Sequence, residues 1–109
     1  MNQLTEVEAP SDALKLPDAH LVRKTHLVFR ALNHKLRVQI LDLLIKHQQL
    51  TVSEIFTQLL LEQSVASQHL ATLRRTGFVK TKRQGKFVWY MVRSERLAEI
   101  EAVLRLLHK

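Results

Sequence analysis

Residues 50–92, LTVSEIFTQLLLEQSVASQHLATLRRTGFVKTKRQGKFVWYMV, hold two short helical periodicities, a glycine stop and then an abrupt change of period. Few folds accept that order. Apolar residues recur at helical spacing through Ile55, Phe56, Leu59 and Leu60, and again through Val65, Leu70 and Leu73. From Phe78 the period becomes two. Val79, Thr81 and Arg83 alternate with Lys80 and Lys82, and past Gln84-Gly85, Val88 and Tyr90 alternate with Phe87, Trp89 and Met91. Gly77 is placed to close the second of these helices in the left-handed conformation. Gly85 permits the positive φ of a tight hairpin turn.

The flanks extend this pattern. Asp18 is a suitable cap for a first helix running to about Asn33, with Leu21, Val22, Val28, Phe29 and Leu32 on one side. Asn33 is expected to cap a second helix, in which Leu36, Ile40, Leu41 and Leu44 recur and which ends near His47. Thr51-Val-Ser-Glu54 has the form of a capping box for the third helix. After a break at Glu62-Gln63, Ser64 is expected to cap the fourth. A fifth helix spans about Ser94 to Leu107, with Leu97, Ile100, Leu104 and Leu107 at the 3-4-3 spacing of a coiled-coil-like seam. Residues 1–17, acidic and broken by Pro10 and Pro17, read as a flexible leader. Residues 18–109 then form one mainly α domain of α+β class. The element order, five helices plus a two-stranded wing, is that of a winged helix-turn-helix.

Charge locates the working surface. The chain of 109 residues carries a formal charge of +7, which favours a polyanionic partner. Residues 74–96 hold eight basic side chains (Arg74, Arg75, Lys80, Lys82, Arg83, Lys86, Arg93 and Arg96) against Glu95 alone. Residues 1–18 reverse the balance, with Glu6, Glu8, Asp12 and Asp18 against Lys15. An ordinary solvated face mixes signs, so a single-signed hairpin points to phosphate. No apolar run is long enough for a membrane span and no signal peptide is evident, so a cytoplasmic protein is expected. Cysteine is absent, which excludes disulfides, thiolate metal sites and thiol redox sensing.

On the fourth helix Gln63, Ser64, Ser67 and Gln68 are expected to face outward, with small Ala66 and Ala71 allowing close approach to a groove. Serine and glutamine both donate and accept, and a glutamine amide can address adenine with both ends. Arg74 and Arg75 follow on the same helix. Lys82, Arg83, Gln84 and Lys86 crowd the hairpin tip, suited to phosphate or to an adjacent minor groove. A plain polar helix face and a solubilising, edge-protecting loop are the alternatives. Phe87, Trp89 and Tyr90 suit a stacking platform for single strands, or core and interface positions. The six histidines, His20, His26, His34, His47, His69 and His108, never fall four apart, so no helix face carries a His pair. His69, beside Leu70, suits packing or a backbone hydrogen bond. No phosphate loop, nucleophile elbow or paired-carboxylate motif supports catalysis, so no enzyme and no cofactor are expected.

With these motifs assembled, residues 27–92 closely resemble the ArsR/SmtB family of bacterial winged-helix repressors. The likeness is carried by Ala31-Leu-Asn-His-Lys-Leu-Arg-Val-Gln-Ile-Leu41, Leu61-Glu-Gln-Ser-Val-Ala-Ser-Gln-His-Leu70, Leu73-Arg-Arg-Thr-Gly-Phe-Val79 and the Gly85-to-Tyr90 arm. The resemblance implies a dimeric repressor bound to a partly palindromic duplex operator and released by an effector. It also implies an interface of first and fifth helices, here Leu21, Val22, Val28 and Phe29 with Leu97, Ile100, Val103, Leu104 and Leu107. Many members sense metals, and there the chain departs. The thiolate region of the third helix falls near Thr51–Phe56, without cysteine, and the fifth-helix ligand positions correspond to Ser94, Arg96 and Leu107. No conventional metal site is expected, and the sequence does not identify an effector. Two rival readings stand beside this one: a winged-helix protein-interaction module, and a noncanonical histidine-based metal sensor.

Overall fold

The computed structural model describes residues 14–109. Most of the expected acidic leader, including Pro10, lies outside the described residues; Leu14 to Pro17 form neither helix nor strand. Helix α1 (Ala19–Leu32) starts at Asp18, whose Oδ1 accepts from the backbone N–H of His20 at 2.8 Å and of Leu21 at 3.3 Å. Those amides have no partner within the helix, so the cap fixes where it begins.

Helix α2 (Lys35–His47) begins one residue later than expected. Asn33 does not cap it; its N–H closes α1 on the carbonyls of Phe29 and Arg30. Because α1 persists to Leu32, Asn33 is spent on that ending, and the first extended residue is His34. Its Nδ1 accepts from Leu36 N–H at 3.2 Å, an imidazole doing the work of a serine.

A two-residue strand, β1 (Leu50–Thr51), leads into α3 (Val52–Leu59). The capping box forms as expected: Thr51 Oγ1 accepts from Glu54 N–H, and Glu54 Oε1 accepts from Thr51 N–H. Leu60 departs from expectation. It sits in the left-handed conformation beyond the last turn of α3, and its side chain is 91% exposed and not on the buried face. Helix α4 (Gln63–Arg75) starts from Glu62, which makes no side-chain capping bond. Ser64 therefore lies within the first turn and is not the cap.

At the far end of α4 the chain reverses through Gly77 (φ +83), with Phe78 N–H returning to Leu73 O at 2.8 Å. The hairpin follows as β2 (Val79–Gln84) and β3 (Phe87–Val92), in register from Val79 opposite Val92 to Gln84 opposite Phe87. β1 adds to its free side, Leu50 opposite Tyr90 and Thr51 opposite Trp89, giving an antiparallel sheet of order β1-β3-β2. The expected wing is thus rooted in a third, very short strand. Helix α5 (Ser94–Leu107) ends the fold.

The core lies where α2, α3 and α4 meet the base of the sheet. Phe78, Ile40, Leu44, Ile55, Leu70, Leu73 and Val79 are fully buried there, with Leu41, Leu50, Ala31 and Ile100 around them. Among the described residues no polar or charged residue is buried, so apolar burial holds the body together, at about 1.5–3 kcal/mol per large side chain. Among those residues, too, no helix is long and apolar enough to cross a membrane.

Candidate nucleic-acid interface

Helix α4 is seated by Ala66, Leu70 and Leu73, whose 4-3 spacing puts all three on one buried stripe. What the stripe leaves outside is polar but for Ala71: Gln63, Ser64, Ser67, Gln68, Ala71, Arg74 and Arg75 are all exposed. Ala66 corrects the expectation that it opens the helix to a groove, since it is wholly buried at the contact with the body. Ala71 alone supplies the small, outward position. Arg75 Nη2 donates to Thr72 Oγ1 at 3.3 Å.

The hairpin carries Lys82, Arg83, Gln84 and Lys86 in the open around Gly85. Lys86 Nζ stands 5.7 Å from the centre of the Phe87 ring. The four ion pairs among the described residues join Asp42 to Lys46, Glu95 to Arg93, Glu99 to Arg96 and Glu101 to Arg105. Arg74, Arg75, Lys80, Lys82, Arg83 and Lys86 take part in none of them. The positive field of α4 and the wing therefore stays available to an external anion. Of the three aromatic residues suggested as a platform, Phe87 is exposed while Trp89 and Tyr90 are half-buried, and Tyr90 packs on the core.

An open groove of about 460 Å³ separates α4 from β3. Ser67, Leu70, Ala71, Arg74, Arg75 and Tyr90 line it, so it has two guanidinium groups on one wall and a phenol on the other. The sequence marked the helix and the wing separately. It gave no sign that Tyr90 would border the space between them, because strand alternation fixes a face but not what lies opposite.

Arg37 and His69 form a second contact that periodicity could not reveal. Arg37 Nε donates to His69 Nδ1 at 3.2 Å, and Arg37 Nη1 donates to Ala31 O at 3.1 Å. The His69 ring stands 4.7 Å from that of His34, tilted by 56°. Burial first, then the neighbouring His34 and Arg37, holds the His69 imidazole below the usual histidine range. His69 is half-buried against His34, in keeping with a packing role, and its hydrogen bond runs to a side chain across helices and not to the backbone.

Away from this face, Leu21 and Val22 on α1 and Val103, Leu104 and Leu107 on α5 are exposed, as are Leu27 and Leu106. Val28, Phe29 and Leu97 are half-buried against the core, and Ile100, only 7% exposed, belongs to it. Arg96 Nη1 is bonded to Glu99 at 3.2 Å. Among the described residues no three His, Asp or Glu side chains gather as a metal-binding group.

Comparison with known proteins bears on this geometry. The family model for bacterial regulatory proteins of the arsR family matches residues 34–81, from the cap of α2 into β2. The transcriptional activator HlyU of Vibrio cholerae is 38% identical over 86 residues, covering 79% of this chain and 76% of that one. The transcriptional repressor PagR of Bacillus anthracis is 32% identical over 81 residues, covering 74% and 78%. Among solved structures, a homodimeric winged helix-turn-helix DNA-binding domain from Mycobacterium bovis, a possible ArsR-family regulator, superposes with a TM-score of 0.70. It is 29% identical, and the match covers 86% of each chain.

Proposed function

This chain belongs to the ArsR family of bacterial regulatory proteins, and we propose that it is a homodimeric, sequence-specific binder of duplex DNA that represses transcription from the cytoplasm. One observation carries the reading: the Ser/Gln face of α4 and the ion-pair-free cationic wing are both exposed, and Ser67, Arg74 and Arg75 of α4 line an open groove against Tyr90 of β3. In this reading α4 enters the major groove, Gln68 and Ser67 meet base edges, and Gln63 and Ser64 stand at the leading end. Arg74, Arg75, Lys82, Arg83, Gln84 and Lys86 hold the flanking backbone and fix register. Repression follows from occupancy, because a protein seated on an operator excludes another from the same DNA. The relatives include both an activator and a repressor, so in vitro transcription from a template carrying the bound site decides the sign.

Release does not run through a thiolate or conventional fifth-helix metal site. The chain has no cysteine, and Ser94, Arg96 and Leu107 occupy the corresponding fifth-helix positions. Stoichiometric zinc uptake in calorimetry, accompanied by loss of bound DNA, would overturn that part.

Selection from a random duplex pool tests the whole reading, since it must yield a partly palindromic consensus. The affinity should fall steeply with salt as neutralised phosphates release counterions. Replacing Lys82, Arg83 and Lys86 with alanine should weaken binding to every sequence and flatten the salt slope by about one unit per lost contact. An unchanged slope would take the wing out of the mechanism.

A further inference from the structure

Helix α1 joins the body of the protein through its C-terminal end, where Val28, Phe29 and Leu32 pack on the core. Ala31 is its one buried residue, while Leu21, Val22 and Leu27 stand exposed further back. The corner with α2 is therefore one of the contacts that orient α1, beside the packing of Val28, Phe29 and Leu32 on the core. Arg37 occupies that corner. Its guanidinium binds the α1 carbonyls of Ala31, at 3.1 Å, and Arg30, at 3.5 Å, while its Nε reaches across to His69 in the middle of α4. One planar fork thus ties the proposed dimer helix to the proposed recognition helix, and a guanidinium is the group whose fixed geometry can do so.

The bond to α4 depends on the protonation state of His69. Nδ1 accepts from Arg37 only while it holds a free lone pair; a doubly protonated imidazole has two donors and no acceptor. The charged and titratable surroundings make that loss worse. His34 from the cap of α2 faces the ring, and Arg37 itself lies in a hollow of about 250 Å³ shared with Arg30 of α1 and Arg75 of α4. No acid lines that hollow. A proton on His69 would set a cation against Arg37 with nothing to offset it.

We propose that Arg37 is the positioning residue that locks the recognition helix to the α1–α2 corner, and that proton uptake by His69 unlocks it, weakening specific DNA binding on acidification. This inference rests on the DNA-binding reading above. Its sign sets it apart from bulk electrostatics. Protonating histidines on a basic protein raises its net positive charge and should tighten binding to any duplex. Here discrimination between specific and random sequence should fall instead.

The test uses a duplex selected by this protein at about pH 8 and a random duplex of equal length, compared by fluorescence anisotropy down to the lowest pH at which the helical signal is unchanged. In the wild type the specific-to-random ratio should drop by roughly tenfold, the scale expected when a hydrogen bond to a charged group is forfeited. His69→Asn, whose amide Oδ1 takes the place of Nδ1 and can still accept from Arg37, should keep the ratio at high pH and lose its pH dependence. Arg37→Lys, which cannot bridge both helices, should show a low ratio throughout. Wild-type imidazole nitrogen spectra give a check that needs no variant: His69 Nδ1 should be unprotonated at high pH and gain its proton as the ratio falls. A flat wild-type ratio with binding intact, or an unaltered fall in His69→Asn, overturns the proposal alone. Failure to bind any selected duplex at high pH overturns the DNA-binding reading and this inference with it.

Discussion

At Gly77 the backbone turns at φ +83, and a Cβ built there would lie 2.7 Å from Arg96 Nη2. At Gly85, φ is +61 and nothing lies within 4 Å. The two glycines separate backbone strain from crowding. Gly85→Ala should cost about 1–2 kcal/mol, from the left-handed backbone alone. Gly77→Ala should cost more, because the Arg96 guanidinium must also move. In an Arg96→Ala background the excess should vanish, and urea titrations of the four variants test this. His69 makes a second prediction at this scale. Its imidazole is held below the usual histidine range, so the folded state binds fewer protons than the unfolded state. Stability from this group is complete above the ordinary value of 6.5 and is lost as pH falls through the lowered folded value. The unfolding midpoint should decline over that window, and His69→Gln should flatten that part of the decline.

Among the elements, α4 differs from α1 and α3 in how it begins. Those helices are capped by Asp18 and Thr51, while Glu62 leaves the first amides of α4 without a side-chain acceptor. Glu62→Ser should therefore stabilise the fold by about 1 kcal/mol. Ser64→Ala, exposed inside the first turn, should change it by less than about 0.5 kcal/mol. A cost near 1 kcal/mol for Ser64→Ala would mean that Ser64 caps the helix after all. The same contrast marks the boundary of what could be read in the sequence. Local signals were legible: the Asp18 cap, the Thr51–Glu54 box, the hairpin about Gly85 and the polar face of α4. Asn33 and Ser64 misled because several adjacent residues could serve as caps, and where the neighbouring helix ends decides among them. β1 escaped notice because two residues carry no period. Arg37 and His69 meet across 32 positions, and only tertiary packing brings them together.

For the whole molecule, the unresolved balance is between the core and the apolar surface it leaves outside. Leu21, Val22 and Leu27 on α1 and Val103, Leu104, Leu106 and Leu107 on α5 remain exposed, several by more than half. So many exposed large apolar side chains on two helices suit an interface, and a stable dimer buries about 800 Å² of surface per partner. A two-fold axis through these helices would also present two copies of α4 to successive half-sites, about one DNA turn apart. The right residues for a test follow from burial. Ile100 belongs to the core of its own subunit, so a charge there would unfold the chain without bearing on association. Leu104 and Leu107 are 39% and 67% exposed, and glutamate at both should leave the fold intact. That variant should sediment as a monomer with an unshifted helical signal, bind a half-site as well as wild type does, and lose most of its affinity for the full palindrome. A wild-type protein that sediments as a monomer at micromolar concentration would remove the dimer. Full-site affinity would then have to come from one winged helix and its wing alone.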